Sequence, residues 1–266
     1  MPAKPKLGQN FLVDAHAVER IVAALGDLSE RTVAEIGPGR GAITSALAAR
    51  AGRVVAIELD CDLAARLSAQ LPADCVTVVE QDVLQFDFGR ARADYCRQGE
   101  RLRVAGNLPY YITSPILLKL AESHAALDLA VLMVQREVAE RIVAAPGSRD
   151  YGLLSVTVQM YGPAEPLFTL PPSAFSPAPE VQSTVFRWRF APRFGELGVE
   201  EADFLRLVRQ AFAQKRKTLM NNLRAAGIAP ARAAAAMERA GIDARVRAES
   251  LSIESLAALW RALQAK

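Results

Sequence analysis

Sulfur, imidazole and aromatic rings are all scarce in this chain. Its 266 residues include three cysteines (Cys61, Cys75, Cys96), two histidines (His16, His124) and 6% aromatics. The cysteines show neither paired nor metal-ligand spacing, so a disulfide framework, a metal centre and thiol chemistry are not expected. Both histidines fall in helical patterns away from every motif below, which points to structural roles. No uninterrupted apolar run approaches the roughly 18 residues that a membrane span needs. The basic start, Met1-Pro-Ala-Lys-Pro-Lys6, has no apolar stretch behind it, so a signal peptide is not expected. What is left is an ordinary composition, 51% apolar and 23% charged, suited to a soluble protein in the reducing cytoplasm. The length allows one large α/β domain plus a smaller unit.

Charge is nearly balanced overall, at a net +3, but it is unevenly placed. Residues 1–186 carry 17 Lys/Arg against 21 Asp/Glu, whereas residues 187–266 carry 15 against 8. An acidic body with a basic C-terminal unit suits a polyanionic partner docked from one side. A solvated helical surface accounts for the same balance, so charge alone leaves both readings open.

Periodicity supplies the architecture. Asp14 is placed to cap a helix running to about Leu25, with Val18, Ile21, Val22 and Leu25 on one face and Gly26 at its end. Strand-like runs follow at 32–36, 53–57, 76–79, 102–105, 127–134, near 167–169 and at 184–188. Helical patterns at 42–50, 61–71 and 114–123 separate the earlier ones, while residues 83–100 read as a surface excursion. Residues 135–144 and 151–161 read as helical. Strands alternating with helices predict a doubly wound, largely parallel sheet. Right-handed crossovers then gather the strand ends on one rim, where ligands bind. Beyond Ala191 only helical patterns remain, near 200–212, 217–226, 230–240 and 252–263. The predicted division is a catalytic domain over 1–192 and a small all-helical domain over 193–266.

The rim carries the chemistry. Gly37-Pro-Gly-Arg-Gly41 is a glycine turn opening a helix, where Gly37 and Gly39 let backbone approach a ligand. Glu58 closes the next strand, where a carboxylate can accept from two ribose hydroxyls, and Asp82 closes the third, where one can receive an adenine amino group. The glycine turn holds no lysine, so the P-loop pattern for a nucleoside triphosphate is absent. An adenosine ligand without phosphates fits better, and S-adenosylmethionine is one. Glu35 is either a partner for its cationic end or a structural anchor. At the end of the fourth strand, Asn107-Leu108-Pro109-Tyr110 brings together a carboxamide, a backbone carbonyl and a ring. Those are the tools for holding a flat heterocycle by its exocyclic amino group. A strand-to-turn boundary is the alternative reading of those four residues alone.

Five motifs in order make the reading specific: Leu7-Gly-Gln-Asn-Phe-Leu12, Glu35–Gly41, Asn107–Tyr110, Phe175-Ser-Pro-Ala-Pro-Glu-Val181 and Gln210–Thr218. Across nearly the whole chain they resemble the ribosomal RNA adenine N6,N6-dimethyltransferase family. Leu108 and the stretch Gln210–Leu223 favour its bacterial small-subunit branch over the related large-subunit resistance enzymes, which more often carry Ile at the Leu108 position.

The resemblance implies a Rossmann-like methyltransferase domain that binds S-adenosyl-L-methionine through Gln9, Asn10, Leu12, Gly37, Gly39, Glu58, Asp82 and Asn107. It implies dimethylation of N6 on two adjacent adenosines in a hairpin loop near the 3′ end of 16S rRNA in the small (30S) subunit. A role in subunit biogenesis follows from the same resemblance. Asn107 and Leu108 would orient the amino group, and Tyr110 and Phe175 would stack the target base, although Phe175 as a core plug is the competing reading. Lys215, Arg216 and Lys217 would contact phosphates, with Arg187, Arg189, Arg206, Arg209 and Arg224 extending the track. A monomer with no membrane or metal partner is expected. A DNA adenine methyltransferase and a non-catalytic ribosome-assembly factor are the alternatives. Leu108 and the basic helical tail count against the first, and the intact set Glu58, Asp82, Asn107 and Tyr110 counts against the second.

Overall fold

The computed structural model describes residues 10–265, and the chain forms two compact units. The first takes the chain up to Ala139 together with Ala164–Phe190; the second takes Glu140–Pro163 and the chain from Ala191 onward. The sequence predicts one boundary at 192/193, whereas the structure places 140–163 with the C-terminal helices.

Among the described residues, nine strands lie in the first unit: β1 (Phe11–Leu12), β2 (Thr32–Ile36), β3 (Arg53–Glu58), β4 (Val76–Glu80), β5 (Leu102–Asn107), β6 (Leu127–Gln135), β7 (Ala164–Leu170), β8 (Phe175–Ser176) and β9 (Ser183–Arg189). Seven of them make one sheet in the order β4-β3-β2-β5-β6-β9-β7. β2 to β6 pair in parallel, and β9 runs antiparallel to both β6 and β7. β1 and β8 form a separate two-stranded antiparallel ribbon. Every residue of β2 is buried, and its apolar run without alternation is what a central parallel strand shows. From β2 the chain winds outward to β3 and β4 on one side, then returns to β5 and β6 on the other. The connections after β2 and β5 therefore diverge and leave a crevice at their carboxyl ends.

Helices α1 (Ala15–Ala24), α2 (Ala42–Ala48), α3 (Cys61–Gln70), α4 (Phe88–Tyr95) and α5 (Thr113–Glu122) accompany these strands, and α6 (Arg136–Ile142) follows β6. The caps follow the sequence: Asp14 accepts from Ala17 N, and Asp60 accepts from Asp62 N and Leu63 N. α4 lies where no pattern is legible. Of its residues only Phe88 and Ala91 are buried, too few to give a helical stripe, and Phe86 packs edge-on to Phe88 with ring centroids 5.0 Å apart. No helix of the described residues is long and apolar enough to cross a membrane.

The second unit contains α7 (Leu153–Tyr161), α8 (Phe194–Leu197), α9 (Glu201–Ala211), α10 (Leu219–Ala225), α11 (Pro230–Arg239) and α12 (Ile253–Gln264). Seven of the nine residues of α7 are buried, so this helix needs cover on nearly every side. Within its own unit it finds Phe194, edge-on to Tyr161 with centroids 5.2 Å apart, and Glu201, which accepts from Tyr161 Oη at 2.7 Å.

Glu100 is a buried carboxylate that composition alone does not single out. Its Oε1 accepts from Thr32 N at 2.6 Å and its Oε2 from Arg97 N at 2.9 Å, pinning the start of β2 to the turn before β5. Replacing it strands two backbone donors, and hydrogen bonds to charged groups are each worth about 1.5–3 kcal/mol. Glu100→Ala is expected to lower the unfolding free energy in urea by about 2–4 kcal/mol, and Glu100→Gln by less. A loss under about 0.5 kcal/mol for the alanine variant would contradict this role.

Candidate active site

A cleft lies over the carboxyl ends of β2, β3, β4 and β5, and its lining among the described residues belongs to the first unit. Its floor is the glycine turn. Gly37, Gly39 and Gly41 have φ of +65°, +58° and +84°, a left-handed path that side chains resist. Space reinforces conformation at two of them. A Cβ on Gly41 would come 2.7 Å from Leu67 Cδ2, and one on Gly39 would come 3.0 Å from the Phe11 ring.

Glu58 is a preset acceptor. Its Oε2 accepts from Gly39 N and its Oε1 from Asp60 N, both at 3.0 Å, which fixes the carboxylate while leaving a lone pair on each oxygen. A ribose diol matches that pair of acceptors. Asp82 Oδ1 accepts from Leu84 N at 2.9 Å, leaving Oδ2 for an amino group. Directly after these two carboxylates come Leu59 and Val83, both lining the cleft. Leu59 is 51% exposed, an apolar surface with no core to cover it. Sequence reasoning passed over both, although an apolar residue immediately following a strand-end carboxylate is the signal that identifies them.

Glu35 is a buried carboxyl in the wall of the cleft. Its side chain lines the cleft at 1% exposure, and Glu35 Oε2 and Thr44 Oγ1 are buried without a hydrogen bond of ordinary geometry. Burial pushes its carboxyl up to about 8; the nearby Thr44 hydroxyl tempers the shift, and the Glu58 charge adds to it. S-adenosylmethionine brings a ribose diol, an adenine amino group and positive charge, and this donor set fits all three.

The second half of the cleft is Asn107–Tyr110. Pro109 keeps Leu108 extended, and Leu108 N donates to Met133 O at 3.0 Å. Among the described residues no hydrogen bond ends on the Leu108 carbonyl or on Asn107 Oδ1. Asn107 Nδ2 donates to Asn10 O at 2.9 Å. A backbone carbonyl only accepts, so this bond fixes which end of the carboxamide is nitrogen and leaves Oδ1 as the open acceptor. Tyr110 Oη lies 2.8 Å from Ser183 Oγ, which holds the ring. Gly106 sets the height of this segment: a Cβ there would lie 2.9 Å from Ile36 O and 3.2 Å from Ile36 Cβ.

The arm around Asn10 is placed by tertiary contacts. β1 pairs with β8, Phe11 opposite Ser176 and Leu12 opposite Phe175, and Val13 N donates to Ala174 O at 2.9 Å. Asn10, Phe11 and Leu12 thereby become cleft residues. Gln9 lies outside the described residues. Of the predicted site residues, Asn10, Leu12, Gly37, Gly39, Glu58, Asp82, Asn107, Leu108 and Tyr110 all line the one cleft.

Phe175, expected to stack a base, is not among the residues lining the cleft. It is 4% exposed and packs in the core cluster with Leu12, Val18 and Ala174, held there by the β1–β8 pairing. Lys215, Arg216 and Lys217 lie in the second unit, exposed on the turn between α9 and α10. Lys215 Nζ donates to Arg149 O at 2.9 Å. Two of the arginines suggested for a phosphate track are already paired, Arg187 with Glu165 at 2.7 Å and Arg206 with Asp203.

Against known proteins, residues 2–265 match the family described as ribosomal RNA adenine dimethylase. The chain is 59% identical over 262 residues to a ribosomal RNA small subunit methyltransferase A of Acidobacterium capsulatum, covering 98% of this chain and 91% of that one. A protein of the same name from Koribacter versatilis is 51% identical over 270 residues, with coverages of 98% and 94%. Among solved structures, a dimethyladenosine transferase from Plasmodium falciparum shares the fold, with a TM-score of 0.76 at 22% identity and coverages of 94% and 95%.

The position of Glu35 has a consequence for stability. The unfolded carboxyl titrates near 4.5 and the folded one near 8. Between those values the folded protein holds a proton that the unfolded chain has lost, so stability falls as pH rises across that window. The penalty, absent below about pH 4.5 and complete above about pH 8, is on the order of 5 kcal/mol. Without ligand, Glu35→Gln is expected to gain stability over wild type progressively from about pH 5 to about pH 8 in urea denaturation. Parallel pH profiles for the two proteins would show that Glu35 is ionised in the folded state.

Proposed function

The chain belongs to the ribosomal RNA adenine dimethylase family, and from that premise we propose that it dimethylates N6 of two adjacent adenosines in a hairpin loop near the 3′ end of 16S rRNA. It is an S-adenosylmethionine-dependent rRNA adenine dimethyltransferase. The finer reading places it, as a cytoplasmic monomer, on the small ribosomal subunit during biogenesis. Support for that subunit comes from the relatives at 59% and 51% identity, whose name specifies it.

The observation that carries the chemistry is the fixed Asn107 carboxamide. The exocyclic nitrogen of adenine is a poor nucleophile because its lone pair is delocalised into the ring. Asn107 Oδ1 and the Leu108 carbonyl are two open acceptors on adjacent residues, matched to the two hydrogens of that amino group. Accepting both draws the nitrogen toward tetrahedral geometry and aims its lone pair, by positioning and preorganised dipoles. Glu58 and Asp82 hold the ribose and adenine of the cofactor, and Glu35 faces its positive charge. When bound, S-adenosylmethionine supplies an electrophilic methyl group carried on a sulfonium. Tyr110, steadied by Ser183, offers a face for the base lifted from its stack. After one methylation only a single N–H remains, so the second transfer proceeds with one of the two acceptors unused.

We read the exposed Lys215, Arg216 and Lys217 as phosphate contacts, which orient a folded RNA without reading its sequence. Every phosphate that such a cation neutralises contributes about 0.7–0.9 to the slope of log affinity against log salt. Replacing all three by alanine is expected to weaken RNA binding and flatten that slope by about 2, leaving S-adenosylmethionine affinity unchanged by calorimetry. An unchanged slope would remove this turn from the RNA interface.

The central test uses labelled S-adenosylmethionine and small subunits lacking dimethyladenosine, with large-subunit RNA and duplex DNA as competitors. Wild type is expected to place label in N6,N6-dimethyladenosine of the small subunit. Asn107→Ala should reduce the rate about 100-fold or more. Label confined to large-subunit RNA or DNA would overturn the substrate, and an unaffected Asn107→Ala variant would overturn the mechanism.

A further inference from the structure

Two tyrosines stand side by side at the lip of the cleft in different states. Tyr110 is half-buried with its hydroxyl held by Ser183, whereas Tyr111, lining the same cleft, is 61% exposed. Both lie in one 3-10 turn, Tyr110–Ile112, where successive side chains diverge by about 120°. One base cannot lie on both rings. Tyr111 also has apolar company. α5 continues directly from the turn and exposes Pro115 and Leu118, four and seven residues further on, which is the spacing of a single helical face. An apolar strip facing water and running away from Tyr111 along α5 is the reverse of the polar outer face expected of a surface helix.

The reaction supplies the occupant. Lifting an adenine out of its stack also deprives the neighbouring base of a stacking partner. An aromatic face at the mouth restores that stack, and base–aromatic stacking tolerates any base. Phe175 cannot serve, because its side chain is packed in the core. We propose that Tyr111 forms a second nucleobase subsite, stacking the base next to the target adenosine, with the exposed Pro115 and Leu118 continuing its apolar surface along α5. The inference rests on the adenine-methylating reading above, and under that reading the stacked neighbour is the second adenosine to be modified. Tyr111 is a positioning residue in this scheme: it holds the RNA in register and touches neither the amino group nor the transferred methyl.

The test compares wild type, Tyr111→Phe and Tyr111→Ala on unmethylated small subunits, with S-adenosylmethionine affinity measured separately by calorimetry. A matching hairpin RNA carrying 2-aminopurine beside the target reports stacking by fluorescence quenching. Loss of one base–aromatic stack is expected to lower kcat/KM about tenfold or more in Tyr111→Ala, through KM. Tyr111→Phe should remain within about twofold of wild type and quench the probe as wild type does, whereas Tyr111→Ala should not quench it. Cofactor affinity should be equal in all three. A Tyr111→Ala variant with wild-type KM and quenching overturns the subsite while leaving the function standing, as does a loss that tracks weakened cofactor binding. A wild-type protein that methylates no RNA overturns the function and the subsite with it.

Discussion

The close approach of β2 and β5 is the constraint on which the site depends. These neighbouring parallel strands carry their chains away in opposite directions, so a crevice opens where they end. Gly106 occupies the tightest point, facing Ile36 O with no room for a methyl group. Because β5 sits that close, Asn107 and Leu108 emerge beside the glycine turn, and their open acceptors share one cleft with Glu58 and Asp82. The sheet order decides which residues meet, and the missing side chain at Gly106 decides how near they come.

Around that crevice the polar groups fall into two energetic classes. Glu58 and Asp82 are held by backbone donors, so they are rigid and partly satisfied before any ligand arrives. Glu35 is buried and unsatisfied, and its desolvation is a cost that a cation in the cleft would offset. Asn107 joins the two halves of the site. Its amide nitrogen is tied to the Asn10 carbonyl, so the arm of residues 10–12 both walls the cleft and sets the polarity of the carboxamide.

Much of this was legible in the residues. The runs at 32–36, 53–57, 76–79 and 127–134 are mostly apolar stretches, and they became β2, β3, β4 and β6 with ends shifted by one residue at most. Glu58, Asp82 and Asn107 were readable because each is a polar residue at or just past the end of an apolar run. α4 escaped because only two of its residues are buried. Segment 140–163 was misplaced because contacts, not sequence order, define a compact unit.

The sequence by itself determined the doubly wound sheet, the rim residues and the acceptor chemistry, because each follows from local periodicity and from residue type at a strand end. The tertiary structure alone decided the rest. β1 and β8 are two residues each, too short for any periodic signal, yet their pairing across more than 160 residues folds the arm over the cleft. The same pairing draws Phe175 into the core and takes it from the site, an outcome that depends on which side chains surround it. Whether a ring such as Phe175 or Tyr111 is buried or left in water is a property of packing, and neighbours along the chain carry no record of it.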